Sequence, residues 1–197
     1  MTALDYRHDA GDPLWKALAA ASERSNYILM LQALEALALK GEFSVFAQIG
    51  EIYERGATGI PRSAHKAIAA YRRGILELDD PACHIGLGRC LFIGNGVVRD
   101  LDLARTHFEI ANDKQCPLAR LYLGRFYYFG LGVERDLARA EGFLAPLLEL
   151  EYVSAYVMLS KIAAEKKSLL KSVGLRIHAI FLAQKIRKEN PTDTRLL

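Results

Sequence analysis

Gly88-Arg-Cys-Leu-Phe-Ile-Gly94-Asn-Gly96-Val97-Val-Arg-Asp100-Leu-Asp-Leu-Ala104 is followed 36 residues later by Gly124-Arg-Phe-Tyr-Tyr-Phe-Gly130-Leu-Gly132-Val133-Glu-Arg-Asp136-Leu-Ala-Arg-Ala140, and the two stretches align without a gap. Self-similarity at a fixed period of this length marks stacked repeats. Stacked helical repeats present extended surfaces rather than deep pockets. The period therefore points to a binding scaffold.

Each repeat reads as helix, glycine loop, helix, turn. In the unit beginning at Pro81, proline suits the first helical turn, where its missing N–H costs nothing. Cys83, Leu87, Gly88 and Leu91 follow at helical spacing. Gly94 and Gly96 end the first helix and turn the chain, Val97 anchors the loop, and Asp100 stands where an N-cap belongs. Ala104 and Phe108 open the buried face of the second helix. The unit from Pro117 repeats this with Ala119, Leu123, Gly124, Tyr127, Gly130, Gly132, Val133, Asp136, Ala140 and Leu144. An earlier unit carries Ile49, Gly50, Tyr53, Gly56, Gly59, Ser63, Ala67 and Tyr71, and a degenerate fourth carries Ala155, Leu159 and Ser160.

Three columns result. Gly50, Gly88, Gly124 and Ser160 form a small-residue column that predicts close helix packing. Ser63, Asp100, Asp136 and Ser172 form a predicted capping column. Ala67, Ala104 and Ala140 form a second small column, which Arg176 breaks. Upstream, Asp12-Pro13 predicts a helix to about Ser22 with Trp15 and Leu18 on one face, then a second from about Asn26 to Lys40. The expected organisation is an N-terminal helical hairpin or cap over 1–42 and a repeat array over 43–190, with units near 44–80, 81–116, 117–152 and 153–190. A short flexible tail, 191–197, follows.

The 197 residues are 51% hydrophobic and 25% charged, which suits a globular or repeat domain with a continuous core. A net charge of +3 argues against general nucleic-acid binding. Met1 to Asp12 carries Asp5, Asp9 and Asp12 with no apolar core, unlike a secretory signal. The stretch from Tyr27 to Leu39 is too short and too polar for a membrane span, and no membrane partner is expected. Cys83, Cys90 and Cys116 are odd in number and have no Cys-x-x-Cys pair, so they read as reduced thiols of a cytoplasmic protein.

The string small-x-x-x-Leu-Gly-x-x-Tyr, then Gly-x-Gly-Val, Asp and Ala, at period 36, resembles the Sel1-like repeat, a relative of the tetratricopeptide repeat. The resemblance runs from about Ser44 to Asn190. It departs at Cys83, where alanine is usual, at Leu91, where tyrosine is, and in the fourth loop. It implies an all-α fold, a right-handed α-α superhelix (solenoid) of helical hairpins that acts as an adaptor. It also implies a bacterial source, in signalling, envelope, secretion or host-interaction systems. No catalytic residue carries over, because the motif is structural.

The motifs of chemistry are missing. Gly86-Leu-Gly88 and Gly94-Asn-Gly96 lack the strand and third glycine of a phosphate loop and recur as repeat positions. His8, His65, His84, His107 and His178 are scattered without metal spacing and read as solvated helix histidines. No catalytic, cofactor-binding or metal residue is expected, and no cofactor.

The position after the tight-packing glycine reads Glu51, Arg89, Arg125 and Lys161, so cations fall in one column. His84, Arg120 and Tyr156 neighbour it, as do Phe92 and Tyr128. On a concave face these residues would form a basic groove with aromatic anchors, suited to an acidic peptide or protein surface. The alternative is an ordinary charged helix face.

The expected function is a non-enzymatic, cytoplasmic protein-interaction scaffold. A rival is a bacterial immunity or inhibitor protein that neutralises one toxin or enzyme. A small-ligand sensor or enzyme would need a converging polar cluster that the sequence lacks. RNA binding is a weaker rival, given the low net charge. Ile177, Ile180, Phe181 and Ile186 on the last helix suggest self-association through that end of the array, unless they pack on the fourth unit's own first helix.

Overall fold

The computed structural model describes residues 12–191 and 193–196. Readings that fall on 1–11, 192 and 197 lie outside them. Among the described residues there are ten α-helices and no strand, only an isolated bridge between Ala57 and Ile60. The helices pair as antiparallel hairpins: α1 (Pro13–Glu23) with α2 (Tyr27–Leu39), α3 (Phe46–Arg55) with α4 (Ala64–Leu78), α5 (Pro81–Ile93) with α6 (Leu101–Asp113), α7 (Pro117–Phe129) with α8 (Leu137–Leu144), and α9 (Val153–Glu165) with α10 (Leu169–Glu189). They fall into two compact units, one ending at Cys116 with α1–α6 and one from Pro117 with α7–α10.

The repeat columns explain the hairpins. A Cβ on Gly88 would sit 2.8 Å from the Phe108 ring, and one on Gly124 would sit 2.7 Å from Leu144 Cγ. Gly50 faces Tyr71 in the same way. Each glycine thus admits one large side chain from its partner helix, and Tyr71, Phe108 and Leu144 are fully buried there. Ala67, Ala104 and Ala140 are buried completely beside them.

The loops close by one device. The backbone N–H of the cap residue donates to a carbonyl of the first helix: Ser63 to Tyr53 at 2.8 Å, Asp100 to Leu91 at 3.1 Å, and Asp136 to Tyr127 at 2.9 Å. The cap side chains then accept from the next helix, Asp100 from Leu103 N and Asp136 from Ala138 N and Arg139 N, each at 2.9 Å. Gly94 and Gly130 take φ of 81° and 66°, which a side chain would resist. The period also appears between hairpins, where Asp79, Gln115 and Glu151 adopt φ of 50°, 60° and 56°.

The fourth hairpin departs from the expected capping column. Ser172 is not an N-cap but lies buried inside α10, which begins at Leu169. Lys166 and Ser168 stand where the loop glycines would be. Lys167 takes φ of 59°, and Ser168 N donates to Ala163 O at 2.8 Å, so α9 turns directly into α10. The longer loop needs glycine conformations that these residues disfavour.

In the first unit, α1 and α2 supply Trp15, Leu18, Leu34 and Leu37 to a core shared with Val45, Ile49 and Ile52. In the second, Leu121, Leu144, Leu147, Leu159 and Ile162 form the centre. Beyond α10, Thr194–Leu196 form a 3-10 turn, and Arg195 pairs with Glu151 at 3.1 Å. On α10, Ile186 is fully buried, while Ile177, Ile180 and Phe181 are exposed.

Candidate functional site

The candidate partner-binding residues divide between the two units. His84, Arg89 and Phe92 stand on α5. Arg89 is held inside the fold: its Nε donates to Glu54 Oε1 at 2.8 Å, and a terminal N–H reaches Oε2. The Tyr71 hydroxyl donates to Glu54 Oε2 at 2.7 Å. The Arg89 and Glu54 side chains are only 15% and 10% exposed. Burial pushes the Glu54 carboxyl up, but the Arg89 guanidinium and the Tyr71 hydroxyl outweigh it and hold the group below its ordinary pKa. Burial, then the Glu54 charge, raises the Tyr71 hydroxyl far above its usual range, so it remains a donor.

His84 is 3% exposed, which corrects its reading as a solvated helix histidine, whereas His65 and His178 are exposed. Its Nε2 lies 2.7 Å from Asp79 Oδ1, and its Nδ1 lies 2.8 Å from His107 Nδ1. Lys114 Nζ approaches the other Asp79 oxygen at 2.7 Å. Positions 84 and 107 are far apart in sequence, and the α5–α6 hairpin brings them together. Phe92 is half-buried, and its carbonyl accepts from Arg99 Nε at 3.1 Å.

In the second unit, Arg120, Arg125 and Tyr128 stand on α7, and Tyr156 and Lys161 on α9. Tyr128 and Lys161 meet at an open cleft of about 280 Å³, which Ser160, Glu165, Ser172 and Arg176 also line. The Tyr128 hydroxyl donates to Glu165 Oε1 at 2.7 Å. Arg135 donates through Nε to the Tyr128 carbonyl at 2.8 Å, pairs with the other Glu165 oxygen, and lies 5.4 Å from the Tyr128 ring centroid. Arg135 and Arg99 are 36 residues apart and make the same loop bond. The Tyr156 hydroxyl donates to Leu148 O at 3.1 Å, and its ring stacks on His178 at 4.5 Å.

Arg135, then Tyr128, holds the Glu165 carboxyl below its ordinary pKa, so the acid that lines the cleft among the described residues is already matched. Arg125, Lys161 and Arg176 make no ion pair among the described residues. Lys161 and Arg176 therefore leave the cleft with uncompensated positive charge, and a carboxylate could accept charge-assisted bonds from both. Sequence reasoning did not select Arg176 for the site. Its signal was the break in the alanine column: Ala67, Ala104 and Ala140 are buried, whereas Arg176 is exposed.

Among the described residues no group of three His, Cys, Asp or Glu could hold a metal ion, and no helix is long and apolar enough to cross a membrane. Cys83 and Cys90 are buried free thiols. Burial, then the Glu54 charge, pushes Cys90 up to about 11, and burial pushes Cys83 higher still, so neither supplies a thiolate nucleophile.

The family model for the Sel1 repeat matches residues 47–74, 81–116 and 117–145. No curated protein matches in sequence. The crystal structure of a Sel1 repeat protein from Oxalobacter formigenes is similar over 94% of this chain and 84% of that one, with TM-score 0.67 and 18% identity, a likeness of fold. The crystal structure of c5321, a protective antigen present in uropathogenic Escherichia coli strains displaying an SLR fold, covers 83% of this chain and 42% of its own, with 20% identity and TM-score 0.36.

Proposed function

The chain belongs to the Sel1 repeat family, and from that premise we propose that it is a non-enzymatic scaffold holding an acidic segment of a partner protein. Sel1 repeat proteins in general are protein-interaction scaffolds, which supports the broad reading. The observation that carries the finer one is the cleft with Lys161 and Arg176 beside Tyr128. Lysine and arginine donors supply charge-assisted bonds, and an aromatic neighbour supplies apolar contact.

The residues on α5 contribute differently. Arg89 is already engaged by Glu54, and His84 by Asp79 and His107. The binding set is therefore centred on Arg120, Arg125, Tyr128, Tyr156, Lys161 and Arg176. The free thiols suit a reducing compartment, which supports a cytoplasmic location.

The test is binding of a fluorescent glutamate-rich peptide, followed by anisotropy. Lys161→Glu/Arg176→Glu should weaken binding on the order of 30-fold or more while circular dichroism stays unchanged. Undiminished binding by a folded double variant refutes the cleft. A single tightly bound protein, captured stoichiometrically and lost in the same variant, would make the scaffold a dedicated neutraliser of that protein.

A further inference from the structure

Leu169, Leu170, Val173, Ile177, Ile180 and Phe181 are 70%, 92%, 55%, 49%, 59% and 68% exposed. All belong to α10, whose other side, with Ser172, Ala179, Leu182 and Ile186, is buried. At roughly 100° per residue, the six fall within an arc of roughly 120° that faces away from the buried set. The strip runs from Leu169 to Phe181, about 18 Å along the 21-residue helix. Apolar strips of this size on a protein surface mark interaction sites.

The edges of the arc are cationic. From Lys166 to Lys188 the chain carries seven Lys and Arg and no Asp or Glu. On the helical wheel, Arg176 and Arg187 flank one side of the strip, Lys171 and Lys185 flank the other, and Lys188 lies at its C-terminal end. Lys166 and Lys171 are met by Glu141, and Lys185 by Glu151 at 3.8 Å. Lys167, Arg176, Arg187 and Lys188 make no ion pair among the described residues.

We infer that the outward face of α10 docks on an anionic lipid bilayer, lying in the plane of the headgroups with its apolar strip at the acyl boundary. Helices with an apolar face flanked by Lys and Arg partition this way. The long flanking side chains reach back to phosphates while their stems cover apolar surface. A second copy of the chain, the occupant suggested by the sequence, would set one row of cations against another, which costs rather than gains. A single acidic helix from a partner would form a narrow seam and leave part of the wide arc uncovered. A planar anionic surface meets the whole arc and both flanks at once. This places the helix on a membrane and not across one, in keeping with its length and charge.

The test is flotation of the intact protein with vesicles of phosphatidylcholine and phosphatidylglycerol at about 7:3, against pure phosphatidylcholine. Wild type should float with the anionic vesicles, remain behind with the neutral ones, and lose binding as salt is raised. Arg187→Glu/Lys188→Glu should weaken binding on the order of 30-fold. Leu170→Ser/Ile177→Ser/Phe181→Ser, all at exposed positions, should abolish it while circular dichroism is unchanged. Absence of flotation with anionic vesicles overturns the inference, as does flotation that either variant leaves intact. A concentration-dependent dimer that the triple serine variant converts to monomer, without flotation, makes a second copy the occupant. Capture of an acidic protein by α10 without flotation makes that protein the occupant. The peptide test of the cleft is scored separately, so either reading can fail while the other stands.

Discussion

Arg89, on α5, reaches into the preceding hairpin: its Nε is 2.8 Å from a carboxylate oxygen of Glu54, on α3, and both side chains are largely withdrawn from water. Tyr71, on α4, completes the contact from a third helix. A candidate binding cation thus serves to join two neighbouring repeats. Removing one member of such a buried pair costs more than the pair contributes, because the survivor keeps its charge without a partner.

Arg89→Ala should therefore destabilise the protein by about 3 kcal/mol in urea titration. Glu54→Leu/Tyr71→Phe/Arg89→Met, which removes all the polar groups together, should recover most of that loss. The pH dependence has a definite sign. The folded-state pKa of Glu54 is depressed, so its contribution is present above the ordinary carboxylate value and is lost as pH falls through the folded value. Below about pH 4.3, wild type should lose stability more steeply than the triple variant. Equal slopes would mean that Glu54 is not the group whose protonation matters.

Two glycines in the α7–α8 hairpin should respond oppositely to alanine. Gly124 faces Leu144 at a distance that leaves no room for a methyl, so Gly124→Ala should cost about 1–2 kcal/mol net of its gain in helix propensity. Pairing it with Leu144→Ala should relieve the clash but leave the cost of the smaller core. Gly142, within α8, has open space where a Cβ would stand, with no other described part of the chain packed there, and Gly142→Ala should stabilise by about 0.5–1 kcal/mol. Thermal melts of the two single variants decide it.

Capping separates the regular repeats from the fourth. Asp136 accepts from two backbone N–H groups, so Asp136→Ala should cost about 1 kcal/mol, and Asp136→Asn should restore most of it. Ser172 caps nothing, and Ser172→Ala should change stability little. A loss at Ser172 as large as that at Asp136 would contradict the early start of α10.

These contrasts show which features a linear reading reaches. The glycine, alanine and cap columns recur at one spacing, and each acts within its own hairpin, so Gly124, Ala140 and Asp136 are legible in the sequence alone. Ser172 misled because its place in the register survives although the glycine loop that makes that place a cap does not. The Arg89–Glu54 contact was hidden for a different reason. It joins α5 to α3, and a column of like residues carries no information about which charge on a neighbouring repeat will meet it. Arg176 was visible as a break in a pattern, but its place beside Lys161 depends on how α10 lies against α9.

The pairing of His84 with His107 was equally hidden, and it should make the first unit sensitive to mild acid. With His84 Nε2–H donating to Asp79, the single hydrogen between the two Nδ1 atoms must come from His107 in the neutral pair. One added proton can be accommodated by making His84 the donor, but two would set N–H groups against each other at 2.8 Å. Burial, then His84, depresses the pKa of His107. The neutral form is therefore favoured in the folded state, and the stabilisation is present above about pH 6.5 and lost as pH falls through the depressed value. Thermal midpoints measured from pH 8 to pH 5 should fall for wild type. His107→Gln keeps a donor for His84 Nδ1 but cannot titrate, so its profile should be flatter over the same range. Lys114 and Asp79 remain in that variant, so a flatter profile would assign the sensitivity to the histidine pair rather than to the neighbouring ion pair. Parallel profiles would assign it elsewhere.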